Sequence, residues 1–229
     1  MISSKLTHLR TGRRGFAPRQ GLLAALILLS AAGCSTVYYS AWEKLGYEKR
    51  DLLRSNVEDV REDQEAVSEQ FVNTLERIRQ LYGLEASELE AAYDRFKAAY
   101  EKSENKAAAL RERIDKVEEV AGDLFAEWER ELGEISDASL RAKSRLQLDE
   151  TRQRYARLAA ALARSEAGLD PVLQSFKDQV LFLKHSLNAQ ALGSLEAEMG
   201  AIERDVERLI EDLEVSIRQA DTFIRELPQ

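Results

Sequence analysis

Between Leu89 and Trp128 a set of apolar and small residues returns at alternating steps of four and three: Leu89, Tyr93, Phe96, Tyr100, Ser103, Ala107, Leu110, Ile114, Val117, Ala121, Leu124 and Trp128. An α-helix places such positions on one face, and their 3.5-residue repeat is that of a seam between packed helices. The spacing predicts a helix from Ser87 to about Leu132, which at 1.5 Å per residue is ~70 Å long. Propensity alone does not hold a helix of this length with a bare apolar stripe. The seam therefore demands partner helices along its whole extent.

The rest of the chain supplies them. Leu53, Val57, Val60, Val67, Phe71, Leu75 and Ile78 repeat in the same way within a helix read as Ala41 to Leu81, and Gly83 suits its C-terminal cap. A third helix opens at the Ser136-Asp137 N-cap and carries Leu140, Ser144, Leu148, Thr151, Tyr155, Leu158 and Leu162 on one face. Gly168-Leu-Asp-Pro171 interrupts it, since proline either kinks a helix or opens a new one. The form expected is a kinked or briefly broken helix reaching Leu187, with Val180-Leu-Phe-Leu183 deep in the core and Asn188 to Gly193 as its last turn. A fourth helix, Ser194 to Glu226, has Leu195, Met199, Ile202, Val206, Leu209, Leu213, Ile217, Ala220 and Ile224 as its seam. The fold class expected is all-α, with long antiparallel helices forming an elongated coiled-coil-like bundle of three to four helices in a single domain, residues 41–227. The fourth seam closes either within one chain or against a neighbouring copy. Glu112–Lys116, Glu150–Arg154 and Glu214–Arg218 stand at the helical spacing of four as surface pairs, each worth ~0.2–0.5 kcal/mol.

Before the bundle lies a different kind of segment. Lys5, Arg10, Arg13, Arg14 and Arg19 precede Leu22 to Leu29, an apolar run too short to span a bilayer as a helix, and residues 1–33 read as a signal peptide. Ala31-Ala32-Gly33-Cys34 resembles the lipobox of bacterial lipoproteins. That resemblance implies cleavage before Cys34, acylation of its thiol, and a lipidated N-terminus and short spacer over 34–40. Cys34 is the one cysteine, so a disulfide within the chain is excluded. A buried methylene is worth ~0.8 kcal/mol and one acyl chain binds a membrane only marginally, whereas the three chains implied by the resemblance anchor stably. Ser35 is not the aspartate that favours inner-membrane retention in enteric bacteria. By that analogy the expected location is the cell envelope, on the periplasmic face of the outer membrane. Tyr38, Tyr39, Trp42 and Tyr47 suit either a headgroup layer or the end of the bundle.

Charge narrows the function. The net charge of −8 becomes −13 once the five cations of the signal segment leave, and a chain this acidic lacks the basic face that nucleic acid requires. Catalytic chemistry finds few tools. His8 and His185 are the two histidines, and after cleavage His185 is alone, so neither a nucleophile–base pair nor a zinc or di-iron ligand set can be assembled. No glycine is followed by lysine, which removes the phosphate-binding loop. No cofactor, metal site or catalytic residue is expected, and Cys34 is the one residue assigned a chemical role, as the lipidation site.

Asp178-Gln-Val-Leu-Phe-Leu-Lys-His-Ser-Leu-Asn-Ala-Gln-Ala191 resembles the signature of a bacterial family known as domain of unknown function 2959. Phe125-Ala-Glu-Trp-Glu129, Ala138-Ser-Leu-Arg141, Glu150-Thr-Arg-Gln-Arg-Tyr155 and Ala220-Asp-Thr-Phe-Ile224 extend the likeness from about the first helix to the end. The resemblance implies a helical envelope lipoprotein and supplies no reaction. Some members carry a label of DNA-repair ATPase, for which this sequence offers neither a nucleotide loop nor a basic face. The function expected is a non-enzymatic structural or protein-interaction role, with an envelope protein or a second copy as partner. The alternative is a bundle that opens for a lipid or other apolar ligand around Val180–Leu183 and the aromatic set Tyr93, Phe96 and Tyr100.

Overall fold

The computed structural model describes residues 49–81, 84, 86–185 and 189–227. The chain divides after Tyr47 into two units, and all the described residues belong to the second. They form four helices: α1 (Lys49–Arg79), α2 (Ala86–Glu134), α3 (Ala138–His185) and α4 (Ala189–Glu226). α1 packs on α2 and α4, and α3 packs on the same two, so the helices make a closed four-membered ring within one chain. Neighbours run antiparallel: Lys49 near the start of α1 meets Glu127 near the end of α2, and Arg154 on α3 meets the end of α4 at Glu226. The expected all-α bundle is thus present, closed by its own fourth helix. The proposed start of the first helix at Ala41, and with it the Tyr38–Tyr47 cluster, lies outside the described residues.

Four seams meet along the axis. Every position of the α2 repeat from Leu89 to Leu124 is buried, and the half-buried Trp128 donates its indole N–H to Ser144 Oγ at 2.9 Å. On α3 the seam runs from Leu148 through Thr151, Leu158, Leu162, Ser165, Leu169, Val172 and Phe176 to Leu183 without losing its three–four alternation. That continuity decides between the forms the sequence allowed at Pro171: α3 passes through it as one helix and is not broken there. Proline removes one backbone bond and costs ~3 kcal/mol in a helix interior. Here Pro171 is exposed, while Leu169 and Val172 on either side are anchored in the same buried seam.

Three expectations are corrected. Within Val180–Leu183 the seam takes Val180 and Leu183, but Leu181 and Phe182 are 49% and 42% exposed, because a run of four consecutive apolar residues covers more than one face of a helix. Ala189 to Gly193 belongs to the beginning of α4, not to the last turn of α3, which stops at His185. Gly193 is carried inside a helix at a cost of ~1 kcal/mol instead of marking its boundary. At the end of α4 the buried set is Ser216, Ala220, Phe223 and Leu227, while Ile217 and Ile224 are half-buried. Ile217 and Ile224 each stand one residue beyond a core position and sit on the flank.

Local signals behave as their chemistry requires. Asp137 caps α3, its carboxylate accepting from the Leu140 N–H at 2.8 Å, and the Arg141 guanidinium donates to Ile135 O, tying the α2–α3 turn. Each pair of adjacent helices also carries an ion pair across it: Arg113 to Asp59 and Asp63, Arg152 to Glu129, Arg154 to Glu226, and Arg79 to Glu203. Exposed pairs contribute little stability, though opposite charges at these positions favour this order of neighbours. Of the expected pairs along helices, Glu150–Arg154 and Glu214–Arg218 are formed, and Lys116 is held by Glu119 at 2.7 Å.

Candidate functional site

Cys34, to which the sequence assigns acylation, lies outside the described residues. His185 is exposed at the C-terminal turn of α3, beside Lys184, where positive charge complements the helix's carbonyl end. Among the described residues no three His, Cys, Asp or Glu side chains stand together as metal ligands, and no helix is long and apolar enough to cross a membrane. The aromatic set is packed. Phe96 is fully buried with its ring edge-on to Phe176 at 6.5 Å, and Phe176 is in turn 5.9 Å from Phe71.

Two buried polar layers interrupt the apolar core. In the first, Gln64 on α1 donates from Nε2 to Ser165 Oγ on α3 at 3.1 Å and to Ser216 Oγ on α4 at 2.8 Å, while its Oε1 has no partner. In the second, Thr74 and Ser103 share a hydrogen bond of 2.8 Å between α1 and α2, and Gln70 donates to Ala99 O at 3.0 Å. Ser103, a small polar residue in the middle of the α2 seam, is accommodated because Thr74 faces it. Sequence periodicity placed Ser103 in the seam but gave no signal for its partner.

Tyrosines on the flanks of the core are shifted. Tyr155 lies between the rings of Phe125 and Phe223 at 5.6 and 6.1 Å, and burial, aided by the nearby negative charge of Glu118, pushes its hydroxyl up to about 12. Tyr100 is also raised, by burial first and then by its hydrogen bond to Glu104. A phenol that is harder to ionise when folded contributes stability that is complete below its unfolded value near 10 and is lost as pH rises toward the folded value. Tyr155→Phe is therefore expected to flatten the loss of stability between pH 10 and about pH 12 and to remove one late transition from an ultraviolet titration of the tyrosines. Ionisation of every tyrosine near pH 10 in the folded protein would contradict this.

Two open grooves of similar size run along the flanks of α2. Between α2 and α3 a groove of about 580 Å³ is lined by Tyr100, Glu104, Arg111, Asp170 and Lys177 among others, with Arg111 holding Asp170 at 2.6 Å and Glu166 at 3.8 Å. Between α1 and α2 a groove of about 570 Å³ is lined by Arg77, Arg95, Lys102 and Lys106, with Glu69 as the one carboxylate among its lining residues. Sequence reading missed this cluster. Arg95, Lys102 and Lys106 share one face of α2 at steps of seven and four, a signal obscured by the acidic total.

The family described as protein of unknown function (DUF2959) matches residues 38–227. The chain belongs to the DUF2959 family. The match covers all four helices of the bundle together with residues ahead of α1, so the DUF2959 region and the described unit largely coincide. No curated protein matches the chain.

Proposed function

We propose that this DUF2959 protein is a lipid-anchored component of the bacterial cell envelope, held at the periplasmic face of the outer membrane through Cys34, whose helical bundle has a non-enzymatic structural or protein-interaction role. The observation that carries this is how the polar side chains are used. Opposite charges pair across all four helix interfaces and Asp137 caps α3, as in a self-sufficient scaffold. The packing of Phe96 against Phe176 occupies the region where an apolar ligand was the alternative. The lipobox-like Ala31-Ala32-Gly33-Cys34 supplies the anchor, and the net negative charge of the chain disfavours broad contact with an anionic membrane surface.

Cell fractionation with mass spectrometry of the N-terminal peptide tests the anchor. The wild-type protein is expected in the outer-membrane fraction with acyl mass on Cys34, and Cys34→Ala is expected to abolish the modification. A wild-type protein that is unacylated and recovered in the soluble fraction refutes the proposal. The interaction role is tested by a photo-reactive residue at position 140 or 146, since Leu140 and Leu146 are 57% and 60% exposed near the start of α3. Crosslinking in intact cells should give one defined adduct, with another envelope protein or a second copy. A chain that crosslinks to nothing from either position argues against that role.

A further inference from the structure

The groove between α1 and α2 exists because its floor is made of alanines: Ala66 on α1 and Ala98 and Ala99 on α2 leave the two helices' facing slopes uncovered. Over that floor stand four cations and one carboxylate, a local charge of +3 on a chain whose total is −8. Among the described residues Arg95, Lys102 and Lys106 have neither an ion pair nor a hydrogen bond, and Arg77 reaches Gln80 at 2.9 Å. The companion groove between α2 and α3 is balanced differently, with Arg111 held by two acids, whereas the groove between α1 and α2 sets four cations against one carboxylate. Four like charges along one concave surface repel one another and focus positive potential into it. Among the described lining residues Glu69 is the one carboxylate set against them.

The spacing limits what can supply a counterion. From Arg95 to Lys102 is two helical turns, ~10 Å, and Lys106 lies one turn further, so the cations of α2 span ~16 Å, with Arg77 beside Arg95 on the other wall. A single small anion meets one or two of them. A phosphate group carries about −1 as a diester and about −1.5 to −2 as a monoester, so two or more such groups offset most or all of the local charge, and arginine forks with lysine ammoniums are the side chains suited to their oxygens. We propose that this groove binds a ligand bearing two or more phosphate groups, presented either as a free polyphosphate or as the headgroup of a phospholipid. Asn73 at the lip provides a further amide donor. This site is independent of where the protein resides and of Cys34.

Calorimetric titration of the full chain in a neutral detergent tests it, with sodium tripolyphosphate in one arm and cardiolipin in mixed micelles of the same detergent in the other. Saturable one-site binding is expected, weakening at least tenfold in R95E/K102E and with rising salt, since the exposed part of the interaction is screened over ~8 Å at physiological ionic strength. R95Q/K102Q should show a smaller loss in the same direction, and both variants should keep the wild-type helix content because these side chains point to solvent. K143E/R204E makes the same change in net charge at exposed positions outside the groove and should bind within twofold of wild type. Binding of tripolyphosphate identifies free phosphate chemistry as sufficient, and binding of cardiolipin alone identifies a headgroup. Absence of binding in both arms, or an equal loss in K143E/R204E, overturns the proposal.

Discussion

Phe176→Ala is expected to destabilise the bundle by about 3–5 kcal/mol, among the largest effects a single truncation can have here. Phe176 is fully buried on α3, edge-on to Phe96 of α2 and tilted against Phe71 of α1, so one ring joins three helices, two of them diagonal neighbours. Truncation removes the transfer free energy of the ring and two aromatic contacts worth roughly 0.5–1.5 kcal/mol each, and leaves a cavity in a rigid seam. For a chain of this size the melting temperature should fall by roughly 6–20 °C. Leu181→Ala, five residues on and about half exposed, should change stability by no more than ~0.5 kcal/mol. Chemical unfolding monitored by circular dichroism distinguishes them. Equal effects from the two would mean that Phe176 does not sit in the core described.

The Gln64 layer is expected to respond with opposite signs to two substitutions. Gln64→Ala loses two hydrogen bonds, to Ser165 and Ser216, and opens a void between α1, α3 and α4, which should cost about 2–3 kcal/mol. Gln64→Leu keeps most of the volume and removes Oε1, a buried oxygen without a partner whose desolvation already costs about 1–3 kcal/mol. Ser165 keeps an alternative on its own helix, donating to Leu162 O at 2.9 Å. Q64L should therefore be neutral or more stable by about 1–2 kcal/mol. The polar layer then acts through specificity: a glutamine that finds acceptors on two other helices in one register penalises a slip of any helix by a heptad. Exchange broadening in nuclear magnetic resonance spectra of Q64L, with stability retained, is the expected signature. A loss of more than 1 kcal/mol in Q64L would show that the layer stabilises outright.

Much of this molecule is written in periodicity. The α2 repeat was legible residue by residue, because a seam of three–four steps can be satisfied in only one way, by helices on its buried side. Cap signals were equally direct: Asp137 has the side chain that a helix N-terminus needs and occupies that place. Errors fell where a local rule met a longer-range demand. Gly193 disfavours a helix by its own chemistry, yet α4 continues through it because good helix formers precede it; at Pro171, where the sequence allowed a kink or a break, α3 is unbroken because seam residues on both sides are buried together. Ile217 and Ile224 fit the apolar spacing, yet Ser216 and Phe223 are the buried neighbours, because burial follows the direction of a side chain and not its apolar character.

Taken alone, the sequence determined that the chain forms long amphipathic helices packed side by side, since each stripe must leave water. Family membership was legible too, through motifs spread from the second helix to the last. Which helices are neighbours, that four of one chain suffice, and that Gln64, Ser165 and Ser216 meet were decided by tertiary structure alone. So was the basic groove, because Arg77 is brought to Arg95 by the antiparallel pairing of α1 and α2, and a net charge sums over surfaces that the fold keeps apart. Periodicity is a property of one helix, whereas the identity of what lies across a seam depends on the register of two.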